Sequence, residues 1–185
     1  QGAPILLIHG FASNARVNWQ ATGWTKTLLE AGYRVICIDN RGHGESEKLY
    51  DPALYSALIM AEDAARLLDH LGIVQAAVMG YSMGARISAF LTMQHPEKVS
   101  RVVFAGLAER MVLGVPGGEA ISDGLLANDV RDVADLGARS FRIFAENTKS
   151  DLKALAACIR SSRVKIKAEA LAQITCPVLV VAGDM

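Results

Sequence analysis

Apolar residues along the chain fall into two patterns that take turns. Short, nearly continuous apolar runs stand at Pro4–Ile8, Arg34–Ile38, Ala76–Met79, Val99–Phe104 and Pro177–Ala182, and the first three are each followed by a polar or Gly-containing turn. Runs this short and this uniformly apolar predict strands buried on both faces, as in a parallel sheet. Helical spacing fills the gaps. From Asp51 to Gly72, the residues Leu54, Leu58, Ala61, Ala65 and Leu68 recur on one helical stripe. Asp51 and Pro52 suit the N-cap and first position, and Gly72 suits the stop. Ala85 to Gln94 predicts a second helix, ended near His95 and Pro96. Strand and helix in alternation predict an α/β fold with a doubly wound, mostly parallel sheet.

The alternation stops between Leu107 and Gln173. "MVLGVPGG" reads as an apolar loop broken by Gly and Pro, followed by helical patterns at 125–136, 140–145, 151–159 and 164–171. So much helix between two strands predicts a helical lid inserted into the core; an ordinary crossover with surplus helices is the competing reading. The expected organisation is therefore a core at 1–106, a lid at 107–173 and a return strand of the core at 174–185. Met111, Val112, Leu113 and Val115 follow a strand end with few charges among them, which predicts an apolar pocket favouring small to medium uncharged acyl groups.

Composition narrows the function classes. At 185 residues, 51% of them hydrophobic, the chain has the length and core of one domain. Lys plus Arg and Asp plus Glu are equal at 19 each, and neither sign forms a block. That balance argues against a nucleic-acid partner. No apolar run approaches the roughly 20 residues that span a bilayer, so no membrane partner is expected. The sequence opens on an apolar strand without a basic leader. Cys37, Cys158 and Cys176 are odd in number and far apart, which suits buried free thiols in a reducing compartment rather than a disulfide or metal set. A cytoplasmic location is expected on these grounds.

The candidate chemistry sits at Gly80-Tyr81-Ser82-Met83-Gly84. By chance alone G-x-S-x-G arises in about one sequence in ten of this length and composition, so the pentapeptide is weak by itself. Its context is stronger. A predicted strand leads in and a predicted helix leads out, and a serine on so sharp a turn needs small residues two positions either side, where larger side chains would meet the crossing backbone. Gly80 and Gly84 fill those places. The helix N-terminus behind Ser82 offers free N–H groups and a positive dipole end, which favour an oxyanion. At the end of the first strand stands "HGF". There the N–H of Phe11 and, across from it, the N–H of Met83 would form a two-donor oxyanion hole. His9 and Gly10 read as supporting residues, His9 as a packed and hydrogen-bonded group rather than a base. "IDNRGHGESE" suggests a dinucleotide loop, but Glu47 stands where its third Gly should be, and no helix opens there.

Taken together, "LLIHGFASNARVNW", "VICIDNRGHGES", "GYSMGARIS", "MQHPEKV" and "CPVLVVAGD" resemble the α/β-hydrolase superfamily, in the order that family uses and over essentially the whole sequence. The resemblance implies Ser82 as nucleophile, Phe11 and Met83 at the oxyanion positions, Leu107–Gln173 as lid, and Asp39 and Arg41 as framework charges. Serine at the elbow departs from the haloalkane dehalogenase and epoxide hydrolase branches, which place Asp there. The family's order is Ser, then acid, then His. The acid is expected three residues beyond Gly183, one past Met185, with Asp184 a weaker candidate one turn position early. None of His9, His43, His70 and His95 fits the expected base, and two opening strands of the usual sheet have no counterpart before Gln1. The resemblance thus implies a segment of a longer enzyme.

The function expected is that of a serine hydrolase. It would cleave a carboxylic ester or related acyl bond of a small molecule through an acyl-enzyme, with no metal or organic cofactor. Enol-lactone and C–C bond hydrolysis are neighbouring alternatives, and a non-catalytic ligand-binding protein on the same fold is the alternative from another class.

Overall fold

The computed structural model describes residues 2–183. Its core alternates strand and helix: β1 (Pro4–Ile8), α1 (Trp24–Glu30), β2 (Arg34–Ile38), α2 (Ala57–His70), β3 (Ala76–Tyr81), α3 (Met83–Gln94) and β4 (Val99–Ala105). Then come α4 (Arg110–Leu113), α5 (Gly118–Leu126), α6 (Leu136–Asn147), α7 (Leu152–Ser161) and α8 (Ala168–Leu171), before the chain returns as β5 (Val178–Val181). The strands pair in parallel in the order β2-β1-β3-β4-β5. Alternate side chains serve the two faces. Ile5, Leu7, Ala77 and Met79 pack with Trp19 and with Leu28 of α1, while Leu6, Ile8, Val78, Val102 and Phe104 pack with residues of α2 and α3. This is the doubly wound sheet the sequence predicts.

The differences have physical causes. β3 runs two residues beyond its expected end, because Gly80 pairs with both Ile8 and Phe104, and Tyr81 with Ala105. The helix expected from Asp51 starts instead at Ala57. Asp51 caps only a short 3₁₀ turn, accepting from the Ala53 N–H, and Ser56 is the true N-cap, accepting from the Ile59 N–H. Between them Tyr55 is wholly buried and donates its hydroxyl to Leu49 O, so the chain breaks there. The break resets the stripe: Leu54 and Leu58 are exposed, and Ala57, Met60 and Ala64 join Ala61, Ala65 and Leu68 inside.

Between β4 and β5 the expected loop closes one turn as α4, and the helix expected at 125–136 lies earlier, as α5. Asp129 stops it from running on by accepting from the Arg131 N–H in a separate 3₁₀ turn. α5, α6 and α7 share a core through Ile121, Leu125, Ala138, Ala145, Leu155 and Ile159. Arg142 is 7% exposed and threads that core, donating to the carbonyls of Gly124, Leu125 and Ala127 and pairing with Glu146 at 2.7 Å. The insertion is tied to the core where Thr148 Oγ1 donates to Ala12 O at 3.1 Å and Ser161 Oγ donates to Pro52 O. Cys158 is buried with its Sγ 3.9 Å from Met83 Sδ, and all three cysteines are free thiols. Among the described residues no helix is long and apolar enough to cross a membrane.

The loops after β1 and β2 are fastened to each other by buried imidazoles. His9 Nε2 accepts from the Asn40 N–H at 3.0 Å, so its proton sits on Nδ1, which donates to Gly10 O at 2.7 Å. The His43 ring lies 5.2 Å from that of His9, with Nδ1 2.9 Å from Arg41 O and Nε2 buried without a partner. Asp39 accepts from the N–H groups of Ala15 and Glu45, and Arg41 forms a two-bond pair with Asp63 at 2.7 Å each. Both residues serve the framework, as the resemblance implies.

Burial holds both imidazoles neutral, His9 down at about 4 and His43 at about 3, against the partial opposition of Asp39. Unfolding frees each to take up a proton below about pH 6.5. Their contribution is therefore fully present above that pH and is lost as the pH falls from about 6.5 towards the folded values. At pH 5 the cost depends on the distance from 6.5 and hardly on the depth of the folded value. It comes to about 2 kcal/mol per histidine relative to pH 8. Urea unfolding at pH 8, 6 and 5 should show this decline, and His43→Gln should remove about half of it. A flat profile over that range would mean that one or both rings are solvated.

Candidate active site

Ser82 directly follows the last paired residue of β3 and directly precedes α3. Its backbone stands at φ 51°, ψ −113°, a left-handed conformation that costs a non-glycine residue about 1–3 kcal/mol. Two approaches force it. A Cβ on Gly84 would lie 1.9 Å from Ile8 O and 2.7 Å from His9 O, and one on Gly80 would lie 2.2 Å from Gly84 O. The helix therefore crosses the strand ends at backbone contact, and the residue between the two glycines takes the sharp turn. The Ser82 N–H is held by Ala105 O at 2.8 Å, while its hydroxyl caps no N–H of α3. Among the described residues the Met83 N–H has no acceptor, as the first turn of a helix leaves it.

The loop after β1 leans against this turn. A Cβ on Gly10 would meet the Tyr81 ring at 3.1 Å and Ser82 Cβ at 3.5 Å, so the absence of a side chain lets the two loops touch. Gly10 N–H is fixed by Asn18 Oδ1 at 2.9 Å. Ala12 at φ 58° then turns the chain away, leaving the Phe11 N–H without an acceptor among the described residues. The Phe11 ring is wedged edge-on between His43 and Phe141, at 5.8 and 5.6 Å. Ser82, Phe11 and Met83 thus border one recess. His9, Gly10, Gly80 and Gly84 stand behind it, in supporting places.

Two spaces meet at Ser82. A broad groove of about 980 Å³ runs from it along the α1 face of the sheet, past Trp19, Leu28, Val103 and Leu179. A small recess of about 50 Å³ lies between the start of α3 and the end of α7. Of the four apolar residues expected around the site, only Val115 borders this recess. The α4 turn rotates Met111 into the core and leaves Leu113 63% exposed. Their places are taken by Arg86 and Arg163, which the sequence reading did not single out. Arg86 falls four residues after Ser82 in a helix, one turn on and on the same side. That spacing is the signal that could have found it.

The histidines give Ser82 no base. Both nitrogens of His9 serve the framework, and His43 is sealed under Phe11. His95 pairs with Glu62 at 2.6 Å beyond the far end of α3, whose 12 residues span about 18 Å. His70 ends α2, on the side of the sheet where β3 begins. Asp184 lies outside the described residues, although Ala182 and Gly183 line the groove that reaches Ser82. Among the described residues no three His, Cys, Asp or Glu side chains converge as a metal would require.

Comparison with known proteins fits this geometry. Residues 3–134 match the alpha/beta hydrolase fold family. Epoxide hydrolase B of Mycobacterium tuberculosis is 35% identical over 122 residues, covering 63% of this chain and 33% of that protein. The 2-hydroxymuconate semialdehyde hydrolase of Pseudomonas sp. strain CF600 is 37% identical over 109 residues, 58% of this chain and 37% of that one. The chain thus spans about a third of the length of the curated relatives it matches. Among solved structures, the bromoperoxidase from Bacillus anthracis superposes with a TM-score of 0.79 at 25% identity, over 100% of this chain and 74% of the other. With the family match spanning most of the chain, this chain belongs to the α/β-hydrolase family.

Proposed function

We propose that the chain carries the nucleophile and oxyanion hole of a serine hydrolase that cleaves a carboxylic ester or related acyl bond. The observation that carries this reading is the strained Ser82 flanked by two unengaged N–H groups, those of Phe11 and Met83. Ser82 Oγ attacks the carbonyl carbon and gives up its proton to a base other than the four histidines described. The carbonyl electrons move onto oxygen, which the two N–H groups stabilise. Collapse of the tetrahedral adduct expels the alcohol and leaves an acyl-serine, which water then hydrolyses. In this reading α5–α7 form a lid over the acyl group.

A serine separates this chemistry from epoxide opening. Attack of an alkoxide on an epoxide would leave a serine ether, which water does not cleave; attack on an ester leaves an ester, which it does. The identity to Epoxide hydrolase B therefore supports the fold more than the reaction.

In the full-length protein, Ser82→Ala should fold normally and lose ester hydrolysis by several orders of magnitude, and a fluorophosphonate probe should label the wild type at Ser82 alone. Activity kept in Ser82→Ala would sink the assignment. Gly84→Val probes the crossing instead. The new side chain would meet Ile8 O, which cannot yield without breaking β1 from its neighbours. Stability should drop by about 3 kcal/mol or more together with turnover. A Gly84→Val protein with the wild-type melting temperature and rate would show that α3 can back away from the sheet.

A further inference from the structure

The recess beside Ser82 holds positive charge that no carboxylate among the described residues neutralises. Arg86 is 2% exposed. Its Nη1 donates to Met111 O at 3.2 Å and to Val164 O, and its Nη2 donates to Arg110 O at 3.3 Å. Arg163, half-buried across the recess, donates through Nη1 to the carbonyls of Val115 and Pro116. Every partner named is a neutral carbonyl. Buried Arg142 shows the contrast: it has a carboxylate, that of Glu146, within 4 Å, whereas Arg86 and Arg163 have none among the described residues. Burial lowers the proton affinity of both, and that of Arg86 is lowered further by the Arg163 charge. The two guanidinium groups therefore repel each other in a poorly solvated place.

Holding backbone carbonyls does not account for this arrangement. The Nε of Arg86, and the Nε and Nη2 of Arg163, have no acceptor among the described residues. Between them Ser162, 2% exposed, borders the same recess, and its Oγ is buried without a hydrogen-bond partner among the described residues. The adjoining Cys158 thiol, pushed up to about 12 by burial, stays neutral and is a weak partner for that oxygen. Charge held in a poorly solvated place without a counter-ion is costly, and an anion that enters the recess lowers that cost. The recess of about 50 Å³ is small. It has room for a small polar group such as a carboxylate.

We infer that this recess is a carboxylate subsite, so that the acyl half of the substrate is a short dicarboxylic half-ester whose free carboxylate lies against Arg163 and Ser162, within the field of Arg86. The inference rests on the acyl-transfer reading of Ser82 and reverses the uncharged substrate preference expected from the apolar sequence after β4. Arg163 binds, because its free donors face the space. Arg86 mainly positions, because its fork fixes Met111 and Val164 and so the walls.

The test pairs isosteres in the full-length protein. Monoethyl succinate and monoethyl glutarate are compared at pH 8 with ethyl 4-methylpentanoate and ethyl 5-methylhexanoate, in which an isopropyl group replaces the carboxylate. A charge-assisted pair in a partly dry site should favour the anionic member by about tenfold to a hundredfold in kcat/KM. Arg163→Met should bring the ratio to about one or below, Arg163→Lys should restore part of it, and Arg160→Gln, altering a nearby cation of α7 that carboxylates already pair, should leave it unchanged. If the neutral esters are hydrolysed as well as or better than the anionic ones, the subsite is overturned while the hydrolase reading stands. Should no ester be hydrolysed, the reaction assignment falls and calorimetry with succinate and glutarate decides the subsite. Binding that Arg163→Met abolishes supports it, and absence of binding in the millimolar range overturns it.

Discussion

Backbone contact between α3 and the end of β1 is the constraint from which the rest follows. Ile8 O, His9 O and Gly84 share a space that admits no methyl group, and Gly80 meets Gly84 O as closely from the other side. Ser82 is left the only conformation that joins strand to helix, at φ 51°. The strain is affordable because α3 is the most buried helix of the core, with ten of its twelve residues inside. Ile87, Phe90 and Leu91 alone contribute about 5–9 kcal/mol of burial, against about 1–3 for the strained residue. The same contact aims the helix N-terminus at the strand ends, and the open Met83 N–H comes with it. One steric fact thus supplies the half-buried serine, a hydrogen-bond donor and the dipole.

What could be read in advance follows from how local each signal is. Strands β1 and β2 were legible to the residue because their apolar runs end at polar turns, and the G-x-S-x-G turn was legible because it lies between two periodic elements. The proposed oxyanion pair was readable only as a conjunction, since the loop holding Phe11 comes to Ser82 through the long-range approach of Gly10 to Tyr81 and Ser82. Errors gathered where tertiary contacts override spacing. Buried Tyr55 split a stripe that looked continuous, and the α4 turn buried Met111 while turning out Leu113. Arg86 escaped notice for a related reason. Periodicity reads an arginine in an apolar helix as a solvent-facing position, yet this one is covered by an insertion some 80 residues away in sequence, at Val164.

The histidines illustrate how chemistry is kept out as well as let in. His9 stands next to the oxyanion loop in sequence and would be a natural base by proximity alone. Its ring is instead spent on the Gly10 carbonyl and the Asn40 N–H, which joins the β1 and β2 loops and fixes the tautomer. An imidazole held down at about 4 has little proton affinity to offer a serine near neutral pH. Rigidity at this corner holds the Phe11 loop, because Phe11 packs on His43, and in the proposed reading it keeps the Phe11 N–H in place before charge develops.

Charge around Ser82 then divides into two parts with different reach. In the proposed reading the N–H groups of Phe11 and Met83 are dipoles that act at hydrogen-bond distance, so they select the oxygen of the adduct and little else. The guanidinium groups of Arg86 and Arg163 are full charges in a poorly solvated wall, where a pair at 4 Å is worth about 4 kcal/mol even at an effective dielectric of about 20. Left alone, such charges would hold the nearest anion available, including the oxyanion or a departing acid product. Placing them in a recess of about 50 Å³ on the lid side separates the tasks. A substrate carboxylate that fills it neutralises the field, and the two N–H groups remain free for the charge that appears only during reaction. The arginines then contribute to which acyl group is bound, and the strained turn to what happens to it.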